Sequence, residues 1–214
     1  MNWKKEFIDF SFKKKALKFG RFKLKSGRTS PYFFNSGLLS TGKDITKIGL
    51  FYARSIIDSK MKFDVLFGAA YKGIPIVVAT AIALKNYYNL NIPYAFNRKE
   101  QKKHGEKGDL IGREISDKNI IILDDVITSG TAIHQSIEMI EEKKAKISSI
   151  FVLLDRKEKG KRNLHTIHHL NNKKSYKIIS IITIEDLISY LLRDTNLKKH
   201  IPELTKYREK YGID

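Results

Sequence analysis

At 214 residues the chain has room for one α/β domain with modest additions, and a hydrophobic content of 42% is ample for a core. It contains no cysteine, which excludes a disulfide framework and a thiolate zinc site, and no apolar run approaches the roughly 20 residues needed to cross a bilayer. The formal charge of +18 invites a nucleic-acid partner, but Lys is spread over every polar segment, which reads as compositional bias or as a surface suited to anionic substrates.

Residues Met1 to Leu17 mix Trp and Phe with Lys, Glu and Asp, unlike a secretory signal, so a soluble, cytoplasmic protein is the expectation. Residues near 2–18 place Trp3, Phe7, Phe10 and Leu17 on one helical face. Phe19 to Leu24 alternates apolar and polar, which predicts a strand; Ser26-Gly27 turns the chain, and Thr29 to Asn35 returns. This hairpin forms a small hood ahead of the main sheet. It carries Lys25 and the aromatic run Tyr32, Phe33, Phe34, which is core by default and a stacking surface for a planar heterocycle as the alternative.

Asp44 is expected to cap the next helix, with Ile45, Ile48, Tyr52 and Ile56 as its apolar stripe. Phe63 to Phe67 predicts a strand. Gly68 to Gly73 then makes a turn of small residues with Tyr71 and Lys72, and Ile74-Pro75 opens a helix. Ile92 to Phe96 is a third strand, emptying into Asn97 to Gly112. Arg98, Lys99, Lys102, Lys103, His104 and Lys107 crowd there among glycines, describing either a solvated loop or a lid over polyanions.

The most informative stretch is Asn119 to Ala132. Ile120 to Leu123 reads as a strand buried on both faces, Asp124 and Asp125 follow, then Val126, Ile127 and the Thr128-Ser129-Gly130-Thr131 turn, and Ile133, Ile137 and Ile140 recur at helical spacing. A strand's C-terminal end meeting a helix N-terminus is where open α/β sheets bind ligands. Gly130 and the hydroxyls of Thr128, Ser129 and Thr131 suit a phosphate at that helix end. The acid pair repels phosphate but suits sugar hydroxyls or a ligand-borne Mg²⁺. The blander reading is a capped helix after an ordinary strand.

Ile147 to Leu154 predicts another buried strand, followed by Asp155-Arg156; Arg156 is placed to meet a carboxylate ligand, or an ion pair with Asp155 or Glu158. His165, His168 and His169 have no carboxylate or Cys partner in their stretch and read as surface residues. Ile178 to Ile182 is a last strand, Thr183 and Glu185-Asp186 start a helix through Leu192, and the tail to Asp214 is a further outer helix. Alternating elements give a mainly parallel sheet of about five strands flanked by helices.

The string from Ile120 to Ala132 resembles the phosphoribosyl-diphosphate (PRPP) motif of the type I phosphoribosyltransferases. Leu24-Lys25-Ser26-Gly27, Phe33-Phe34, Tyr71-Lys72-Gly73, Arg98-Lys99 with Lys102, His104, Gly105 and Glu106, then Arg156 and Ile179 to Thr183, extend the resemblance over nearly the whole chain to the orotate phosphoribosyltransferases. It implies one phosphoribosyltransferase domain over 1–214, with a hood of about 1–40 and a mobile catalytic loop of about 98–112. The implied reaction joins orotate N1 to ribose C1 of PRPP, giving orotidine 5′-monophosphate and diphosphate in pyrimidine biosynthesis, with Mg²⁺ as cofactor.

By the same resemblance the catalytic residues are Arg98, Lys99, Lys102, His104, Asp124 and Asp125. PRPP meets these together with Lys25, Tyr71, Lys72, Val126, Ile127, Thr128, Ser129, Gly130, Thr131 and Ala132, and orotate meets Lys25, Phe33, Phe34, Thr128 and Arg156. The family implies a homodimer whose loop serves the partner's site, and Mg²⁺ held mainly by PRPP, with Asp124 and Asp125 acting through water. Thr128 argues against a purine substrate, because purine-specific relatives commonly carry an acid there. Two rival expectations are a non-catalytic relative that binds nucleic acid and a phosphoribosyltransferase for another base.

Overall fold

The computed structural model describes residues 3–24, 26–98, 109–127, 131–159, 176–193, 195 and 197–213, with backbone alone at 131 and 132. Helix α1 (Trp3–Lys13) precedes a hairpin of β1 (Leu17–Lys23) and β2 (Thr29–Phe34). Then come α2 (Gly42–Ser59), β3 (Val65–Gly68), α3 (Gly73–Tyr88), β4 (Tyr94–Asn97), β5 (Leu110–Gly112), β6 (Asn119–Ile127), α4 (Thr131–Glu142), β7 (Lys146–Asp155), β8 (Ile178–Thr183), α5 (Ile184–Leu191) and α6 (Ile201–Tyr211).

The main sheet has the order β5-β4-β3-β6-β7-β8. Five strands are parallel, and β5 alone pairs antiparallel, against β4. The expectation of about five strands therefore misses β5. It is only three residues long and ends on Gly112, so it carries no strand pattern.

Strand β6 lies at the centre and shows why a continuous apolar run is needed there. Side chains alternate across a strand. Ile121 and Leu123 join the core under α1, α2, α3 and α5. Ile120 and Ile122 face the opposite layer, where Ile133, Ile137 and Ile140 of α4 close over them. Phe151 and Leu153 of β7 follow the first pair, and Ile150 and Val152 the second.

Helix α2 starts differently from the expectation. Thr41 is its N-cap, accepting from Asp44 N at 3.2 Å, while the Asp44 carboxylate accepts from Thr41 N at 3.2 Å. Asp44 is thus the third residue of a capping box rather than the cap. It also pairs with Lys14 at 2.8 Å while only 1% exposed, and that hydrogen bond is the main cause holding its carboxyl below the usual range.

The hairpin is antiparallel, with a bulge between Phe19 and Phe22. Phe34 is buried, 6.2 Å from the Phe7 ring, whereas Phe33 is 38% exposed and stacks on Phe22 at 5.5 Å. The default core reading therefore holds for Phe34 and Tyr32, and Phe33 alone faces outward. Among the described residues no helix is long and apolar enough to cross a membrane.

Candidate active site

The acid pair lies inside β6, not beyond it. The backbone ladder to β7 continues through Asp124↔Val152 and Val126↔Leu154 to Ile127↔Asp155, so the strand outlasts its apolar run. The two carboxylates have different partners. Asp124 Oδ1 accepts from its neighbour's amide, Asp125 N, at 2.9 Å. Its carbonyl accepts from the buried Tyr52 hydroxyl at 2.6 Å, whose acidity is suppressed by burial and by the charges of Asp125 and Asp124. Asp125 Oδ2 accepts from two donors, Lys72 Nζ at 2.6 Å and Ser36 Oγ at 2.6 Å.

Lys72 comes from the turn between β3 and α3, and close backbone contact explains its small residues. A Cβ on Gly73 would lie 2.6 Å from Leu123 O, and one on Gly68 2.4 Å from Gly73 O. Only glycine lets this turn lie flush on β6 at Leu123. Ala69 N donates to Leu123 O at 3.2 Å, and Ala70 N to Asn97 Oδ1 at 2.8 Å. The Ala70–Tyr71 peptide is cis, and Tyr71 is 61% exposed at the mouth of the turn. Asn97, unremarked in the sequence, thus ties the β3 turn to the end of β4. Arg98 follows it, its amide donating to Asp109 O at 2.8 Å across the loop's base.

Arg156, just past β7, is only 5% exposed and already engaged. Nε donates to Glu158 at 2.7 Å, Nη2 to Ser30 Oγ at 2.9 Å and to the Tyr207 hydroxyl at 3.4 Å. Its guanidinium lies 4.1 Å from the centroid of the Tyr32 ring. The Glu158 ion pair expected as the bland option is present, and the C-terminal helix α6 supplies Tyr207. Burial is the main cause raising the pKa of both Tyr32 and Tyr207, so both hydroxyls stay protonated at neutral pH.

The described residues thus bring together Asp124, Asp125 and Lys72 with Ser36, and set Val126, Ile127 and Arg156 along the same sheet edge. Lys25, Lys99, Lys102, His104, Thr128, Ser129 and Gly130, the side chains of Thr131 and Ala132, and His165, His168 and His169 lie outside the description. Among the described residues no cluster of three or more His, Cys, Asp or Glu side chains could hold a metal ion.

A parallel sheet with an acid pair at its central strand tip, a glycine turn bearing a lysine beside it, and a hairpin hood is the architecture of a type I phosphoribosyltransferase. The family model described as "Phosphoribosyl transferase domain" matches residues 39–183. An orotate phosphoribosyltransferase of Buchnera aphidicola subsp. Acyrthosiphon pisum (strain Tuc7) is 79% identical, with 100% of each chain covered. One from Pseudoalteromonas translucida is 51% identical, covering 97% of each. The crystal structure of a Francisella tularensis orotate phosphoribosyltransferase superposes with a TM-score of 0.88 at 38% identity, covering 97% of this chain and 100% of that one. The chain belongs to the orotate phosphoribosyltransferase family.

Proposed function

We propose that the crevice at the tip of β6 is where this enzyme transfers the 5-phosphoribosyl group of PRPP to orotate N1, releasing diphosphate and giving orotidine 5′-monophosphate. The observation that carries this reading is the meeting of Asp125 and Lys72 at 2.6 Å near the C-terminal end of β6. Asp124 and Asp125 take the ribose hydroxyls, and the residues Thr128 to Thr131 with Ala132 take the 5′-phosphate at the start of α4. Tyr71 and Lys72 face the diphosphate, with Val126 and Ile127 forming the floor between.

Negative charge builds on diphosphate as the C1–O bond breaks, so cations nearby stabilise the transition state more than the ground state. Arg98, Lys99, Lys102 and His104 supply that charge from the loop, and loop closure excludes water from an oxocarbenium-like centre. No covalent nucleophile is required. Lys25, Phe33, Phe34, Thr128 and Arg156 line the approach of orotate, with Arg156 as the partner for its carboxylate. Mg²⁺ carried by PRPP would supply charge neutralisation on the diphosphate. Asp124 and Asp125 would hold it through water, since one oxygen of each carboxylate already accepts a hydrogen bond.

The reading extends to a single domain over 1–214 with its hood near 1–40 and catalytic loop near 98–112, acting as a cytoplasmic homodimer in which each loop serves the other subunit. The test is the loss of orotate absorbance with PRPP and Mg²⁺. Turnover with orotate, and none with uracil, hypoxanthine, guanine or adenine, is the expected result. Absence of turnover would favour a binding protein instead.

A further inference from the structure

We propose that Ser36 is a positioning residue for PRPP: its hydroxyl, 2.6 Å from Asp125 Oδ2, fixes that carboxylate so that Lys72 can leave it for the diphosphate when the sugar arrives. The inference rests on the reading of the crevice given above. Ser36 opens a short 3-10 turn over residues Ser36–Leu38, directly after β2, and is 9% exposed. The turn is fixed at both ends. Asn35 N donates to Ala16 O at 2.8 Å, Asn35 Oδ1 accepts from Gly37 N at 3.0 Å, and Leu39 N donates to Ser36 O at 2.9 Å. The hydroxyl therefore reaches the tip of β6 from a rigid part of the hood, 89 residues away in sequence.

The two donors on Asp125 Oδ2 are unequal. The Lys72 side chain is 53% exposed and flexible, so it can exchange Asp125 for an anionic ligand at little cost. Ser36 is short, buried and neutral. It has no charge with which to follow a phosphate, and it stays when Lys72 departs. One retained hydrogen bond keeps a nearly buried carboxylate oriented and partly satisfied through the exchange, which is preorganisation of the group that meets the ribose.

The test measures PRPP·Mg²⁺ binding by calorimetry without orotate, and the KM for orotate separately. Ser36→Ala is expected to weaken PRPP about tenfold, the size of one hydrogen bond to a charged group, with the orotate KM and the melting temperature unchanged. Ser36→Thr, which keeps the hydroxyl, stays closer to the parent than Ser36→Ala does. In an Asp125→Ala background, Ser36→Ala changes PRPP affinity less than about twofold, because the acceptor is gone. Equal weakening of PRPP and orotate with a lowered melting temperature would make Ser36 hood packing and overturn the proposal. So would the same factor in both backgrounds, or no effect of Ser36→Ala while Asp125→Ala weakens PRPP. PRPP affinity untouched by Asp125→Ala would overturn the crevice reading itself.

Discussion

Asp125 and Glu158 are both nearly buried carboxylates at the C-terminal edge of the sheet, with side chains 10% and 14% exposed, yet their partners differ in kind. Asp125 shares one oxygen between a small hydroxyl and a half-exposed lysine. Glu158 holds Arg156 at 2.7 Å, Arg28 at 3.3 Å and the Tyr207 hydroxyl at 2.9 Å, and Arg156 is itself sandwiched against Tyr32. The first arrangement can exchange partners with a ligand; the second closes three segments of the chain, β2, the end of β7 and α6, into one rigid corner. The proposed reaction assigns a task to each: Asp125 would trade lysine for sugar, and Arg156 would serve as a fixed cation for orotate.

Three perturbations separate these corners. Asp125→Ala is expected to lower kcat/KM for PRPP by roughly 10³-fold, since two hydrogen bonds donated to a charged group are lost, while thermal stability barely changes. A large drop in stability without loss of PRPP affinity would make Asp125 structural. Arg156→Ala should do the converse. Glu158 keeps Arg28 and Tyr207, so the loss falls near the low end for breaking a buried pair, about 3 kcal/mol by denaturant titration. It should also weaken orotate far more than PRPP; equal weakening of both would leave Arg156 with packing alone.

The smallest effect is the acid sensitivity of the neighbouring tie between Glu185 of α5 and Arg208 of α6. Burial raises the Glu185 pKa, but hydrogen bonds from Thr183 and its own backbone, with Lys157 and Arg208 close by, outweigh it and hold the carboxyl below the usual range. Arg208 lies on α6 and donates to Glu185 at 2.9 Å. A group with a depressed folded pKa contributes stability that is complete above its unfolded value of about 4 and is lost as pH falls through the folded value. Stability should therefore be flat near neutrality and decline below about pH 4, with Glu185→Gln flattening that decline. An unchanged acid limb would remove this pair from the ledger of α6.

The sheet and its order of strands and helices are legible because burial on two faces forces apolar runs, and these recur at Val65, Ile120, Phe151 and Ile181. The position of the acid pair is legible because Asp124 and Asp125 follow such a run at once. What stays hidden is long-range. Ser36 in a short turn and Asn97 at the end of β4 are common polar residues, and nothing local distinguishes the ones whose hydroxyl or amide reaches a distant segment. Thr41 and Asp44 are both good capping residues, and only geometry decides which of them caps. The apolar run of β6 stops at Leu123 while its ladder runs to Ile127, because pairing with β7 is a backbone matter that side-chain pattern does not record.

A crystal structure of the enzyme with a non-reactive PRPP analogue, Mg²⁺ and orotate addresses the strand-tip crevice directly. The ribose hydroxyls are expected against Asp124 and Asp125, with Lys72 moved off Asp125 onto the diphosphate and Ser36 still in place. An analogue bound elsewhere, with the Lys72–Asp125 pair intact at its present 2.6 Å, would contradict it.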